Sequence, residues 1–255
     1  MTLRHPFAIQ LYSGRKFPPL ESQIAVAARC GFTHVETFGP LNDSPEEARR
    51  ALDRHGLAAV SAHISLDGLE GDPAKAIKAA RALGVEFVVA PYLSPERRPK
   101  DRSGWIALGE RLARCRDIIA REGLRFAWHN HDFEFAPLPD GSYPIEHILR
   151  ADLAWEADLA WVTLGGADPM AWIGRYRGRV PLVHVKDVAP AETRRDEDGW
   201  ADVGAGVLPW PALWSACAAA GAEVMIAEHD NPNDFERFVR ISGAAMRRYA
   251  EATAS

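Results

Sequence analysis

LRFAWHN at Leu124–Asn130, LAWEAD at Leu153–Asp158 and VPLVHV at Val180–Val185 are three short apolar runs that start 29 and then 27 residues apart. Each interval has room for a strand, a helix and two turns, the connection that parallel neighbouring strands require. The same unit recurs outward in both directions. FAIQL from Phe7, THVET from Thr33, LAAVSAH from Leu57 and EFVVAPY from Glu86 precede the three, and AEVMIAE from Ala222 follows them. Helical signals fill the gaps. Pro19–Cys30 has apolar residues near a 3.6 period and a stop at Gly31. Ser44–Gly56 opens with Ser44 as a cap and Pro45 in the first turn. Asp72-Pro73 and Gly84 bracket a third helix, Pro169–Tyr176 holds a short one, and Leu208–Gly221 and Asn233–Ala250 hold the last two. Eight strand–helix alternations without a compositional break predict a single-domain α/β fold, a (β/α)8 TIM barrel over residues 1–255. An open doubly wound sheet would show a Gly-rich phosphate turn after its first strand, where this chain has only Ser13-Gly14.

Composition narrows the function. The 255 residues are 47% hydrophobic and 25% charged, ordinary values for a folded globule and against disorder. Thirty basic side chains against 35 acidic ones give a net charge of −5, a poor balance for a nucleic-acid partner. Cys30, Cys115 and Cys217 are far apart and form no CxxC, which argues against a disulfide framework or a cysteine zinc site. The opening MTLRHPFAIQLYSG lacks the apolar core of a signal peptide. No run approaches the roughly 18 apolar residues of a membrane helix. A soluble cytoplasmic protein with no membrane partner is expected.

Parallel barrels bind ligands at the C-terminal ends of their strands, and ionisable residues gather there. Gln10, Glu36, His63 and Tyr92 end the first four runs. His129, His131 and Glu134 lie at or just past the fifth, Asp158 ends the sixth, His184, Lys186 and Asp187 the seventh, and Glu228, His229 and Asp230 the eighth. Carboxylates and imidazoles distant in sequence but convergent in space are the usual ligands of a divalent ion. Three carboxylates and one imidazole suit Mn2+, Mg2+, Co2+ or Zn2+. Glu134, Asp158, His184 and Glu228 are the candidate ligands. Gln10, Glu36, His63, Trp128, His131, Lys186 and Asp230 are candidates to bind the substrate. At most one of His129 and His131 is expected to face the mouth, unless the strand has already ended. Tyr12, Phe38, Trp105, Trp128, Trp161 and Trp200 could stack on sugar faces, although tryptophan in a barrel is more often core. RRDEDGW at Arg194–Trp200 reads as a solvated loop over the mouth.

IQLYS (Ile9–Ser13), GFTHVETFG (Gly31–Gly39), WHNHDFEF (Trp128–Phe135), WVTLGGADP (Trp161–Pro169), HVKD (His184–Asp187), VGAGVLPW (Val203–Trp210) and AEHD (Ala227–Asp230) together resemble the sugar phosphate isomerase/epimerase family of xylose-isomerase-like barrels. The resemblance covers nearly the whole chain. It implies a metal site with a Glu after strand five, an Asp after strand six, a His after strand seven and a Glu after strand eight. The last three fall on Asp158, His184 and Glu228. At strand five, His129 stands where many members have Glu, and Glu134 five residues later is the other source of a carboxylate.

The resemblance also implies chemistry: removal of a proton next to a sugar carbonyl, with the metal stabilising the enediolate. Glu228 is the candidate base, Glu134 or His129 its partner, and Lys186 a contact for an anionic group. The same intermediate could instead expel a leaving group, making the chain a dehydratase or lyase acting on a keto-sugar or keto-inositol. The abasic-site endonuclease branch would need a basic groove, which this acidic chain lacks, and a non-catalytic sugar-binding barrel would hold no metal. The small-residue faces Ala79–Ala82 and Ala216–Ala222 are compatible with a homodimer.

Overall fold

The computed structural model describes residues 3–254. Of the expected 1–255 domain, Met1, Thr2 and Ser255 lie outside the described residues. The eight runs are the eight strands of a closed parallel barrel: β1 (His5–Gln10), β2 (His34–Thr37), β3 (Ala58–His63), β4 (Phe87–Ala90), β5 (Arg125–His129), β6 (Ala154–Asp158), β7 (Leu182–Val185) and β10 (Val224–Ala227). Each pairs with its neighbours in sequence, and β10 closes the ring against β1. Between β7 and β10, a two-stranded antiparallel ribbon of β8 (Asp187–Val188) and β9 (Trp200–Ala201) was not expected.

Side-chain alternation sorts each strand into an inner and an outer column. The inner columns begin apolar. Ala8, Val60, Phe87, Val89, Ala127, Leu182, Val224 and Ile226 fill the lower barrel, with Ala154 against them. Two residues further along, the same columns become polar and mostly ionisable: Gln10 on β1, His129 on β5, Glu156 then Asp158 on β6, His184 then Lys186 on or just past β7, and Glu228 just past β10. The register sets these side by side, with His129 opposite Glu156, Asp158 opposite His184, and Gln10 opposite Glu36.

The outer columns face the helices. Trp128 and Trp155 on these columns, and Trp210 and Trp214 on the helix Trp210–Ala220, are fully buried, each contributing roughly 2–3 kcal/mol through removal of apolar surface from water. Three of these indoles also steady the chain that carries the charged rim. Trp128 donates to Glu134, Trp155 to Asn130 and Trp210 to the Lys186 carbonyl.

Local signals shape the helices. The Asp72 carboxylate caps Pro73–Leu83 by accepting from the Lys75 amide, and Gly84, at φ +77°, ends that helix in the left-handed region. Ser44 precedes Pro45–Arg54, but its hydroxyl makes no capping bond, contrary to expectation. Its backbone sits outside the usual N-cap region because the short helix Gly39–Asp43 runs directly into it.

Asp187 anchors the loop after the ribbon. Its carboxylate accepts from the backbone amides of Val188, Gly204, Gly206 and Leu208 at 2.9–3.2 Å. Gly206 is needed for that approach, since a Cβ there would overlap the Asp187 carboxylate and the Val188 carbonyl. Asp187→Ala leaves these amides without their acceptor; the Leu208 amide is the buried one, and a buried orphan costs about 1–3 kcal/mol. The expected outcome is a urea unfolding midpoint lowered by about 1–3 kcal/mol equivalent, with the m-value unchanged.

Candidate metal centre

The charged rim is a dense buried cluster. The His184 imidazole is its hub. Nδ1 lies 2.8 Å from Glu228 and 3.9 Å from Asp158, while Nε2 lies 2.8 Å from Glu36 and 3.3 Å from Glu156. His63 Nε2 lies 2.7 Å from Glu156 and 2.9 Å from Glu36, and His129 Nδ1 is 3.2 Å from Glu156. Gln10 donates to Glu36 at 2.7 Å. Lys186 Nζ reaches Asp230 at 2.8 Å, Glu228 at 3.0 Å and Asp158 at 3.3 Å, and it sits 4.5 Å from the Trp200 ring centre and 5.2 Å from that of Trp161.

This arrangement sets the protonation of each group. Burial opposes charge on His184, but the Glu228, Glu156 and Glu36 carboxylates outweigh it and hold the imidazole protonated. His63 is likewise raised, to about 10, as Glu36 and Glu156 overcome its burial. Burial pushes Glu228 up, yet Lys186 and His184 hold it well below the usual carboxylate range. Burial, assisted by the Glu36 charge, lifts Glu156 to about 7. Burial lifts Asp230 to about 6 despite Lys186. His129, buried among cationic neighbours, stays neutral.

A divalent cation fits this set. Among the described residues, two overlapping groups bring their ligand atoms within 4.8 Å of one another: His129, Asp158, His184 and Glu228 above, and His63, His129, Glu156 and His184 below. Glu36 Oε2, Glu156 Oε1 and His129 Nδ1 are buried without a hydrogen-bond partner, and such orphans are normally resolved by a ligand or ion. Four buried carboxylates and the half-buried Asp230 crowd this end of the barrel, and Lys186 pairs with only three of them, so added positive charge relieves their repulsion.

The sequence profile of the xylose isomerase-like TIM barrel family matches residues 24–251. The chain belongs to this family. Among solved structures, it is similar to a sugar phosphate isomerase/epimerase from Parabacteroides distasonis, at 21% identity over 93% of this chain and 92% of that one, with a TM-score of 0.79. A xylose isomerase-like TIM barrel protein from Mycobacterium smegmatis, in complex with magnesium, aligns over 99% of this chain and 100% of its own, at 16% identity and a TM-score of 0.74. A probable 3-DHS dehydratase from Bacillus anthracis aligns over 97% and 98%, at 13% identity and 0.72. At these identities the structures share the fold. No curated protein matches the chain. No helix among the described residues is long and apolar enough to cross a membrane.

On this xylose isomerase-like barrel the sequence candidates divide. Asp158, His184 and Glu228 meet, and His129 joins them. Glu134 does not. Its carboxylate turns into the layer between barrel and helices, where it accepts from the Trp128 indole at 3.1 Å and the His131 amide at 2.8 Å. It closes the loop after β5 and is in neither metal-binding group, so its assignment as ligand and acid is corrected. Trp128 is also corrected as a substrate contact. As the strand neighbour of His129 it points to the opposite, helix-facing side, fully buried.

The cavity over the centre is lined by Tyr12, Phe38, His63, His129, His131, Trp161, Lys186, Trp200, Glu228 and Asp230, among others. Both His129 and His131 line it. β5 ends at His129, so His131 lies past the strand, the exception under which both could face the mouth; positions two apart would in any case share a strand face. Gln10 and Glu36 are fully buried beneath. Trp105 packs against Phe133, 6.2 Å between ring centres, and is not part of the lining. The Arg194–Trp200 loop does cover the mouth, with Asp198 and Trp200 lining it, but it is not simply solvated. Glu197 is fully buried in an ion pair with Arg237. Glu156 was missed, although LAWEAD places it two residues before Asp158 in the same inward column.

Burial raises the Glu134 carboxyl to about 8 despite its two N–H donors. A pKa raised in the folded state favours folding below the unfolded value near 4.5, and that contribution fades as pH rises towards 8. Glu134→Ala is therefore expected to keep its metal content, to lose about 2–4 kcal/mol from two orphaned donors, and to show a shallower decline of stability between pH 4.5 and 8. Metal analysis and urea unfolding across that range check all three.

Proposed function

We propose that the chain is a divalent-metal-dependent sugar isomerase or epimerase that moves a proton next to a carbonyl. The observation that carries this is the meeting of the His129, Asp158, His184 and Glu228 ligand atoms within 4.8 Å of one another on the floor of an open cavity. Two imidazoles and two carboxylates suit borderline ions such as Mn2+, Co2+ or Zn2+ better than Mg2+. Held there, such an ion supplies positive charge to the carbonyl and adjacent hydroxyl oxygens of a sugar.

The side chains supply the remainder. Glu228, kept ionised by Lys186 and His184, accepts the proton from carbon. The C–H electron pair moves into the carbonyl, and negative charge develops on its oxygen. Lys186, locked by three carboxylates and flanked by Trp161 and Trp200, is a fixed positive charge for that oxygen. Asp230 lines the same cavity with a pKa near 6 and returns a proton to the neighbouring carbon or to the opposite face of the same one.

One observation favours a second reading, a dehydratase or lyase acting on a keto-sugar or keto-inositol. β5 contributes the imidazole of His129 to the centre, while Glu134 is turned away. With an imidazole rather than a Glu carboxylate supplied by β5, the developing charge can be discharged by expelling a leaving group. The products separate the two: isomerisation exchanges substrate hydrogen with solvent at constant mass, whereas elimination releases water or an aglycone.

Asp158→Asn is expected to lose bound metal, read by elemental analysis, while its far-ultraviolet dichroism stays that of the parent. Retention of full metal occupancy would refute the assignment. Glu228→Gln is expected to slow hydrogen exchange from ketoses or keto-inositols into D2O by about 100- to 10,000-fold, followed by proton NMR. Chelation should abolish exchange in the parent protein, and Mn2+ should restore it.

A further inference from the structure

The cavity is larger than a single sugar ring requires. Its volume is about 1020 Å3, at the top of the roughly 300–1,000 Å3 range of sites that enclose drug-sized ligands. It does not stop at the barrel mouth. One arm passes between the segments that follow β2 and β3 and reaches the outer helix Pro73–Leu83, where Ala76 and Ala79 line it. These alanines are three residues apart and share a helix face. Phe38, Ile64 and Tyr92 add apolar surface.

The charges along this space do not suit an anion. Lys75 at the arm is already 3.0 Å from Asp43, and Lys186, held by three carboxylates, is committed to the carbonyl oxygen in the function proposed above. No arginine lines the cavity among the described residues. The N-terminus of Pro73–Leu83 would offer free amides to a phosphate, but the Asp72 carboxylate occupies the Lys75 amide at 2.9 Å. Asp198 and Asp230 add further negative charge to the lining. A phosphorylated sugar would meet carboxylates and no uncommitted cation.

We propose that the substrate is an uncharged sugar carrying a second, apolar ring-sized group, with the sugar over the metal centre and the ring in the arm against Ala76 and Ala79. The placement of the sugar rests on the metal-centre function proposed above. The arm itself does not. Burying a ring-sized apolar group corresponds to about 10- to 100-fold in affinity.

Calorimetric titration of the Mn2+-loaded protein tests this with matched 4-nitrophenyl and methyl β-glycosides of glucose, galactose and xylose, alongside glucose 6-phosphate and galactose 6-phosphate. The aryl member of at least one pair should bind 10-fold or more tighter than its methyl partner, and both phosphates more weakly than the methyl glycosides. Ala79→Phe fills the arm and should erase the aryl advantage while leaving methyl glycoside affinity unchanged. If that variant does not fold, Ile64→Trp fills the same space from the other wall. Equal affinities within every pair, tighter binding of a phosphate, or no binding across the panel overturns the proposal. An aryl preference that persists without metal, together with full metal retention by Asp158→Asn, would uphold the arm and remove the metal-centre function instead.

Discussion

Four carboxylates, Glu36, Glu156, Asp158 and Glu228, are buried at one end of the strands with the half-buried Asp230 beside them, and the upper barrel is organised around making that tolerable. Two like charges about 4 Å apart repel by about 4 kcal/mol at an effective dielectric of 20. Lys186 compensates three of the five, and the protonated imidazoles of His63 and His184 compensate Glu36, Glu156 and Glu228. The compensation is incomplete. Burial leaves Glu156 near 7 and Asp230 near 6, well above ordinary carboxylates. Perturbed carboxylates at one end of the strands, with an apolar plug at the other, support the site proposed above at the charged end.

The two nitrogens of His184 divide the cluster into levels. Nε2 faces Glu36 and Glu156 below, and Nδ1 faces Asp158 and Glu228 above. A metal-binding imidazole generally has its other nitrogen tied to a carboxylate that fixes ring orientation. Glu36, itself held by Gln10, meets that description. In the function proposed above, the lower level would orient the upper one: Glu36, held by Gln10, reaches His184 from beneath. Cation binding needs neutral imidazoles, so the proton that His184 carries here is one that a metal ion would displace.

The barrel is legible in the sequence because its period is imposed by backbone geometry. A parallel strand cannot meet its neighbour without a crossover, so runs such as LRFAWHN and LAWEAD must recur at intervals of this size. The site is legible only in part, because its members are selected by which face a side chain takes. Asp158, His184 and Glu228 end their strands pointing inward. Glu134 lies beyond a strand end, where alternation no longer applies, and its direction is decided by the Trp128 indole that needs an acceptor. Glu156 could have been found by counting back two positions from Asp158. The ribbon of β8 and β9 gives no periodic signal at two residues per strand, and the Glu197–Arg237 pair that fastens its loop joins segments 40 residues apart.

Eight tryptophans in one chain suggest a sugar-binding surface, yet the structure uses most of them otherwise. Trp128, Trp155 and Trp210 stand on the helix side of the barrel and donate to Glu134, Asn130 and the Lys186 carbonyl. Asn130 in turn accepts from the Asp158 amide at 2.9 Å and donates to the Asp158 carbonyl at 3.1 Å. Each indole thus combines a large buried apolar surface with one hydrogen bond to the segment that carries a metal-facing or charged residue. Positioning comes from the outer layer and chemistry from the inner one. Trp161 and Trp200, which flank Lys186, instead line the cavity.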